Sequence, residues 1–349
     1  MNDDLLLNVS LLRRRVPNLT SAAKSVGLRP ATVSNLCTGK ISVGKAEVKT
    51  IVALANLANC TVDDLIIQGS GLKMLETGIK VIDLFAPIVK GGVTGFVARA
   101  QMGQLVVLSE LVHRLKQKQY TTILLTPEDN TANLDDVDQS VDNNCHTIDD
   151  TVAFVSLAED KNNILLAVDR SFVLTGELYQ LREKLESEGF PDITTVLFDP
   201  TGEVVDEEDS YGLLDTVCYF DMDLIARRIY PAIHPVFSTS VLQEDALLEN
   251  NHLTIQRKAR KLLRRYREVR VLANAIGMEN ISEENIALYK RGELLEAFCS
   301  QPFFVAEPFT KIAGEYVALK DTISGAEKIL EGKLDDLDPS ELLFKGKIN

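Results

Sequence analysis

The 349-residue chain has no tryptophan and few aromatic residues of any kind, 6% in all, with four histidines and five cysteines. Cys37, Cys60, Cys145, Cys218 and Cys299 are scattered and never stand in C-x-x-C spacing, which argues against a disulfide framework and against a zinc site. They are expected to be buried thiols in a reducing compartment, and no metal site is expected. Cys145 adjoins His146, but in an acidic stretch without basic residues to favour a thiolate. No apolar run approaches the roughly 18 residues that span a bilayer, and the opening MNDDLLLNVSLLRRR lacks the basic start and cleavage site of a signal peptide. The expectation is a cytoplasmic protein without membrane insertion.

Basic charge is also scarce. The net charge is −14, yet residues 1–70 hold eight Lys or Arg against five acids, so this segment is +3 and the remainder −17. A small basic module precedes a large acidic body. With 45% apolar and 25% charged residues the chain reads as globular, and its length allows two or three domains.

From Leu5 to Leu65 apolar positions recur at helical spacing without β alternation. In "NLTSAAKSVGLRPATVSNLCTGK", Thr20 or Ser21 is expected to cap a short helix ended by Gly27, and Pro30 to open a second helix running to Cys37. Val33 and Leu36 would face inward and Ala31, Ser34 and Asn35 outward, flanked by Arg29 and Lys40. Asn can pair bidentately with adenine, and Arg or Lys can hold phosphates. The segment resembles the helix-turn-helix domain of the Cro and phage-repressor type: Gly27, Thr32-Val33-Ser34-Asn35, the Gly39-Lys40 turn and the closing TVDDLI all match. Cys37 departs from it, standing where that family often has an acidic residue. The resemblance implies double-stranded DNA as partner, through Arg29, Ala31, Ser34, Asn35 and Lys40; the alternative is a helical domain that docks on protein.

After "QGSG" (68–71), apolar β-branched runs at 93–98, 121–126, 163–169 and 194–199 alternate with helical patterns at 104–116 and 176–188, which predicts a parallel sheet in an α/β domain. From about Ser238 to Gln301 the pattern is helical throughout. Glu128, Asp169 and Asp199 follow three of the strands, at the ends that line the ligand crevice of an open parallel sheet.

"LETGIKVIDLFAPIVKGG" (75–92), "IYPAIHPVFSTSVL" (229–242), "AIGMENISEEN" (275–285) and the segment 301–337 resemble the catalytic β subunit of rotary ATP synthases, over essentially all of 72–349. That family's N-terminal β-barrel is absent, and the helix-turn-helix segment stands in its place. The implied fold is multidomain: an all-α helix-turn-helix domain (1–68), a degenerate RecA-like α/β P-loop-type parallel-sheet domain (72–237) and an α-helical C-terminal domain (238–349).

Against the family's phosphate loop, Ala98 to Leu105 reads as a loss of function. Side chains replace glycines whose bare backbone closes on phosphate, Gln104 stands for the lysine and Leu105 for the magnesium-holding hydroxyl. Glu128 falls on the general base and Asp169 on the Walker B carboxylate, but Asp129 and Val241 stand where the family has arginines. Tyr230, Phe303 and Phe309 match the aromatics that flank adenine, which leaves room for weak nucleotide binding, or for their use in core packing alone. Losing one transition-state donor typically costs about 10²–10³ in rate, and three charge contacts are missing here, so no ATP hydrolysis is expected and no cofactor. The basic run 257–270 is expected to be the solvated face of a packing helix with a Leu262, Leu263, Tyr266 and Val269 stripe.

Three functions follow as alternatives. The first is a DNA-binding transcription regulator on a pseudoenzyme body used for homo-oligomerisation, partner binding or sensing. The second is a β-subunit mimic that binds ATP synthase or related ring subunits. The third is a DNA-associated ATPase with a nonstandard phosphate loop.

Overall fold

The computed structural model describes residues 5–16, 19–37, 41–68, 72–128, 134–158, 160–206, 211–242, 246, 248–249 and 251–348. Two compact units divide at Lys73/Met74. The joint expected at 68–71 falls almost wholly outside the described residues, as do Gly39, Lys40 and Asp129.

The first unit comprises β1 (Leu5–Leu7), α1 (Val9–Arg15), α2 (Leu19–Ser25), α3 (Pro30–Cys37), α4 (Val48–Leu57), α5 (Val62–Leu65) and β2 (Ile66–Gln68). Its core gathers Leu12, Ala23, Val33, Leu36, Ile51, Leu54 and Leu65. The turn between α2 and α3 is a Schellman motif: Leu28 N–H donates to the Ala23 carbonyl and Gly27 N–H to that of Lys24. Gly27 has φ +76°, a conformation costly for other residues. Pro30 opens α3 at the position where its missing N–H costs nothing.

Two expectations need correction here. The unit is not all-α, since β1 pairs antiparallel with β2, Leu5 opposite Gln68. A three-residue run is too short to show a period, and its partner lies at the far end of the unit. The expected caps Thr20 and Ser21 also lie within α2, which begins at Leu19.

The second unit opens with β3 (Lys73–Leu75), α6 (Lys80–Phe85) and β4 (Ile88–Lys90), the two strands forming a small sheet. There follow β5 (Val93–Val97), α7 (Gln104–Gln117), β6 (Thr121–Leu125), α8 (Asp135–Asp138), β7 (Asn143–Cys145), α9 (Ile148–Ser156) and β8 (Ile164–Asp169). Next come α10 (Ser171–Leu174), α11 (Glu177–Ser187), β9 (Thr194–Phe198), β10 (Thr216–Tyr219), α12 (Met222–Ala226) and β11 (Thr239–Ser240). A seven-stranded sheet runs in the order β11-β10-β5-β9-β8-β6-β7. Its strands are parallel except β11, which pairs antiparallel with β10 and makes the sheet mixed. β5, β8 and β9 are buried along their whole length, as expected for strands covered on both faces.

The helical region holds α13 (His252–Ile276), α14 (Glu283–Cys299), α15 (Glu307–Thr310) and α16 (Leu319–Leu330). Thr239–Ser240, just after its expected start at Ser238, is strand, and α13 begins at His252. On α13, Leu263, Tyr266 and Val269 are buried and Leu262 is half-buried. Gly292 is required where α14 crosses α13, since a Cβ there would collide with the Tyr266 ring. His252 and Gln256 bond the Leu84 carbonyl, which fixes α13 to the end of α6, and Arg260 donates to Ser238 O at 2.7 Å.

Candidate functional site

The sheet order places β5 between β9 and β10, so the loops leaving β5, β9 and β8 lie side by side at one edge. The first of them, 98–103, connects β5 to α7. Gly103 at φ +85° turns the chain into the helix, and Gln101 is held at φ +64°, strained for a residue with a side chain. Arg99 N–H donates to Met102 Sδ at 3.1 Å, so the loop closes partly on its own thioether.

Its outer side is covered by the chain that follows β9. A Cβ on Gly202 would collide with the Ala100 amide nitrogen and lie 2.7 Å from Arg99 Cα, so the two backbones are in direct contact. Arg99 also pairs with Asp206, Nη2 to Oδ1 at 2.9 Å. That pair is more than half exposed, and such pairs contribute about 0–1 kcal/mol. The backbone contact is therefore what closes the loop.

Asp199 organises this cover. Its carboxylate accepts from Thr201 N–H and Oγ1–H at 2.8 and 2.7 Å, from Val204 N–H at 2.8 Å, and from Arg170 Nη1 at 3.3 Å. Burial alone would raise its pKa, but the hydrogen bonds from Thr201 and Val204 outweigh burial and lower it. Asp169, whose neighbour across the ladder is Phe198, caps Ser171 N–H at 2.8 Å. Burial, with Asp199 adding to it, raises the Asp169 pKa. These two strand-end carboxylates do come together. Glu128 lies exposed in the turn after β6.

Gln104 and Leu105 begin α7. Gln104 is 2% exposed, with its Oε1 unpartnered, and Leu105 is half-buried. A magnesium triphosphate needs bare loop amides, an ammonium and a metal-holding hydroxyl. The residues present do not fit it: one loop amide is covered, the lysine position is a neutral amide facing inward, and the hydroxyl position is apolar.

The three aromatics expected at adenine occupy different settings. Phe303 is core, 6% exposed, with the Arg114 guanidinium 5.8 Å from its ring. Tyr230 is 40% exposed and Phe309 80%. Of the expected DNA-facing residues, Arg29, Ala31 and Ser34 are exposed and Asn35 is half-buried on α3. Cys145 is buried and burial raises its thiol pKa, the opposite of activation. Cys37 and Cys60 are half-buried, Cys218 and Cys299 buried.

A buried network on the far side of α7 has no place in the sequence reading. Arg114, enclosed, donates to Glu110 Oε1 at 2.7 Å, to Gly78 O at 2.7 Å and to Glu315 O at 2.8 Å. Gln301 Nε2 donates to the same two carbonyls and its Oε1 accepts from Lys80 N–H. The available signal was Glu110 and Arg114 at i, i+4 within an apolar stretch of α7.

Residues 244–337 match the C-terminal domain of V and A type ATP synthase. In fold, the chain is similar to the structure described as a unique ATP synthase subunit, NeqB, from Nanoarcheaum equitans. The TM-score is 0.58 and the identity 16%, covering 76% of this chain and 77% of that one. Residues 244–337 are thus similar to that C-terminal domain, and the fold is like that of an ATP synthase subunit. No helix among the described residues is long and apolar enough to cross a membrane.

Proposed function

We propose that the chain is a non-hydrolysing, ATP synthase subunit-like protein that binds subunits of an ATP synthase or related ring, or further copies of itself, through its α/β body. The observation that carries it is the contact of Gly202 with Ala100 on a body of this fold. The covered loop, with Gln104 and Leu105 where a lysine and a metal-holding hydroxyl would stand, supports this reading, because phosphoryl transfer depends on positioning and electrostatic stabilisation.

The test is size-exclusion chromatography with mass measurement of the full-length protein mixed with purified ATP synthase ring subunits, with and without Mg-ATP. A co-eluting complex that releases no phosphate supports the proposal. Separate elution at micromolar concentrations, with no self-assembly, counts against it.

A second reading is favoured by the helix pair α2 and α3 about Gly27, which presents Arg29, Ala31 and Ser34 to solvent. It makes the first unit a double-stranded DNA reader in a regulator. Selection from random duplexes at moderate salt tests it: Asn35→Ala should relax one base position, and Lys40→Ala should weaken all sequences alike. Absence of both enrichment and salt dependence removes it.

A further inference from the structure

The solvent face of α13 lies apart from the loop and its cover. Between His252 and Ile276 the helix carries eight Arg or Lys and one acid, Glu268, in a chain of net charge −14. Three of these cations have partners elsewhere in the chain: Arg260 donates to the Ser238 carbonyl, Arg270 pairs with Asp223, and Arg267, itself exposed, lies beside the His234 ring. Arg257, Lys258, Lys261, Arg264 and Arg265 are exposed, and among the described residues their one ion pair is Arg265 with Glu268 at 2.8 Å.

Arg257, Lys261 and Arg264 stand at i, i+4 and i+7, so like charges stack on successive turns, an arrangement that opposes helix formation. A solvated face normally mixes both signs. With Arg260, Arg265, Glu268 and Leu288 of α14, these three line an open cleft of about 710 Å³. Along the same helical face the chemistry then changes: Val271, Leu272 and Ile276 follow at helical spacing, 68%, 44% and 44% exposed.

We propose that this face binds an amphipathic protein helix, whose carboxylates enter the basic cleft and whose apolar residues cover Val271, Leu272 and Ile276. The order of chemistry along the face selects this partner. A phosphate backbone calls for cations along its whole track and gains nothing from three aliphatic side chains, whereas an acidic helix with an apolar half meets both parts. The face would serve whether or not the chain sits in a ring.

The experiment is fluorescence anisotropy on the full-length protein. One probe is a labelled helical peptide with glutamates in one half and leucines in the other, used in both orders; the other is a random-sequence DNA duplex. Micromolar peptide binding is expected. It should weaken by about tenfold or more in Arg257→Glu/Lys261→Glu/Arg264→Glu and also in Val271→Asn/Leu272→Asn. All five positions are exposed, and circular dichroism confirms that the variants fold. Absence of peptide binding overturns the proposal. So does duplex binding that is lost in the charge-reversed variant but kept in the asparagine variant, which would assign the face to nucleic acid.

Discussion

Gly202 lies against the backbone of Ala100, so close that a methyl group on Gly202 would collide with the Ala100 amide nitrogen. The edge where a parallel sheet offers its ligand crevice is thereby occupied by the chain's own turn, which Asp199 holds through Thr201 and Val204. The Asp199 carboxylate is committed to that turn.

Gly202→Ala should destabilise the protein by more than the about 1–3 kcal/mol of a strained backbone position, because collision adds to φ +79°. Gly176→Ala is the control, at φ +78° with no atom within 4 Å of its Cβ. Urea midpoints of the two variants, compared with the parent, give the contact by difference. Equal losses would mean that the contact contributes nothing.

Arg114→Met should cost about 3–5 kcal/mol, since it leaves the Glu110 carboxylate buried and unpaired. The double variant Glu110→Gln/Arg114→Met should recover part of that loss. Denaturant titration of the set measures it, and a double variant as unstable as the single one would contradict the account.

Stability should fall as pH drops from about 6.5 to about 4. Burial lowers the His234 pKa to about 4, opposed by Asp221 and assisted by Arg267. The unfolded state therefore takes up a proton that the folded state refuses, which removes up to about 3 kcal/mol across that interval. His234 Nδ1 accepts from Val236 and Phe237 N–H, bonds that an asparagine oxygen can replace. His234→Asn should flatten the pH profile of the melting temperature; an unchanged slope would exclude this histidine as its source.

Sequence patterning located the strands at 93–97, 121–125, 164–169 and 194–198 and the helix at 104–117 within a residue or two, because long buried runs and amphipathic periods are local signals. α3 was legible from Gly27 and Pro30 alone. β1, β7, β10 and β11, two to four residues each, were not, since pairing with distant partners and not local period defines them. In the site, the residue types at Gln104 and Leu105 were legible, and their burial was not. Nor was the cover, as nothing local to Gly202 says that it will meet Ala100. Phe303 illustrates the same limit: its type suits an adenine, but its surroundings, Arg114 included, place it in the core.

Placing a lysine and a threonine at Gln104 and Leu105 should not produce ATP hydrolysis. Gln104→Lys/Leu105→Thr still leaves Gly202 on the Ala100 amide, so phosphate release from ATP should stay at background in a coupled assay. Turnover in that double variant would show that the cover yields to ligand.

The most direct test is isothermal titration of the full-length protein with Mg-ATP, run alongside a phosphate-release assay. The closed loop predicts no saturable heat below millimolar nucleotide and no release above buffer. Micromolar binding accompanied by turnover that disappears in Asp169→Asn would contradict it.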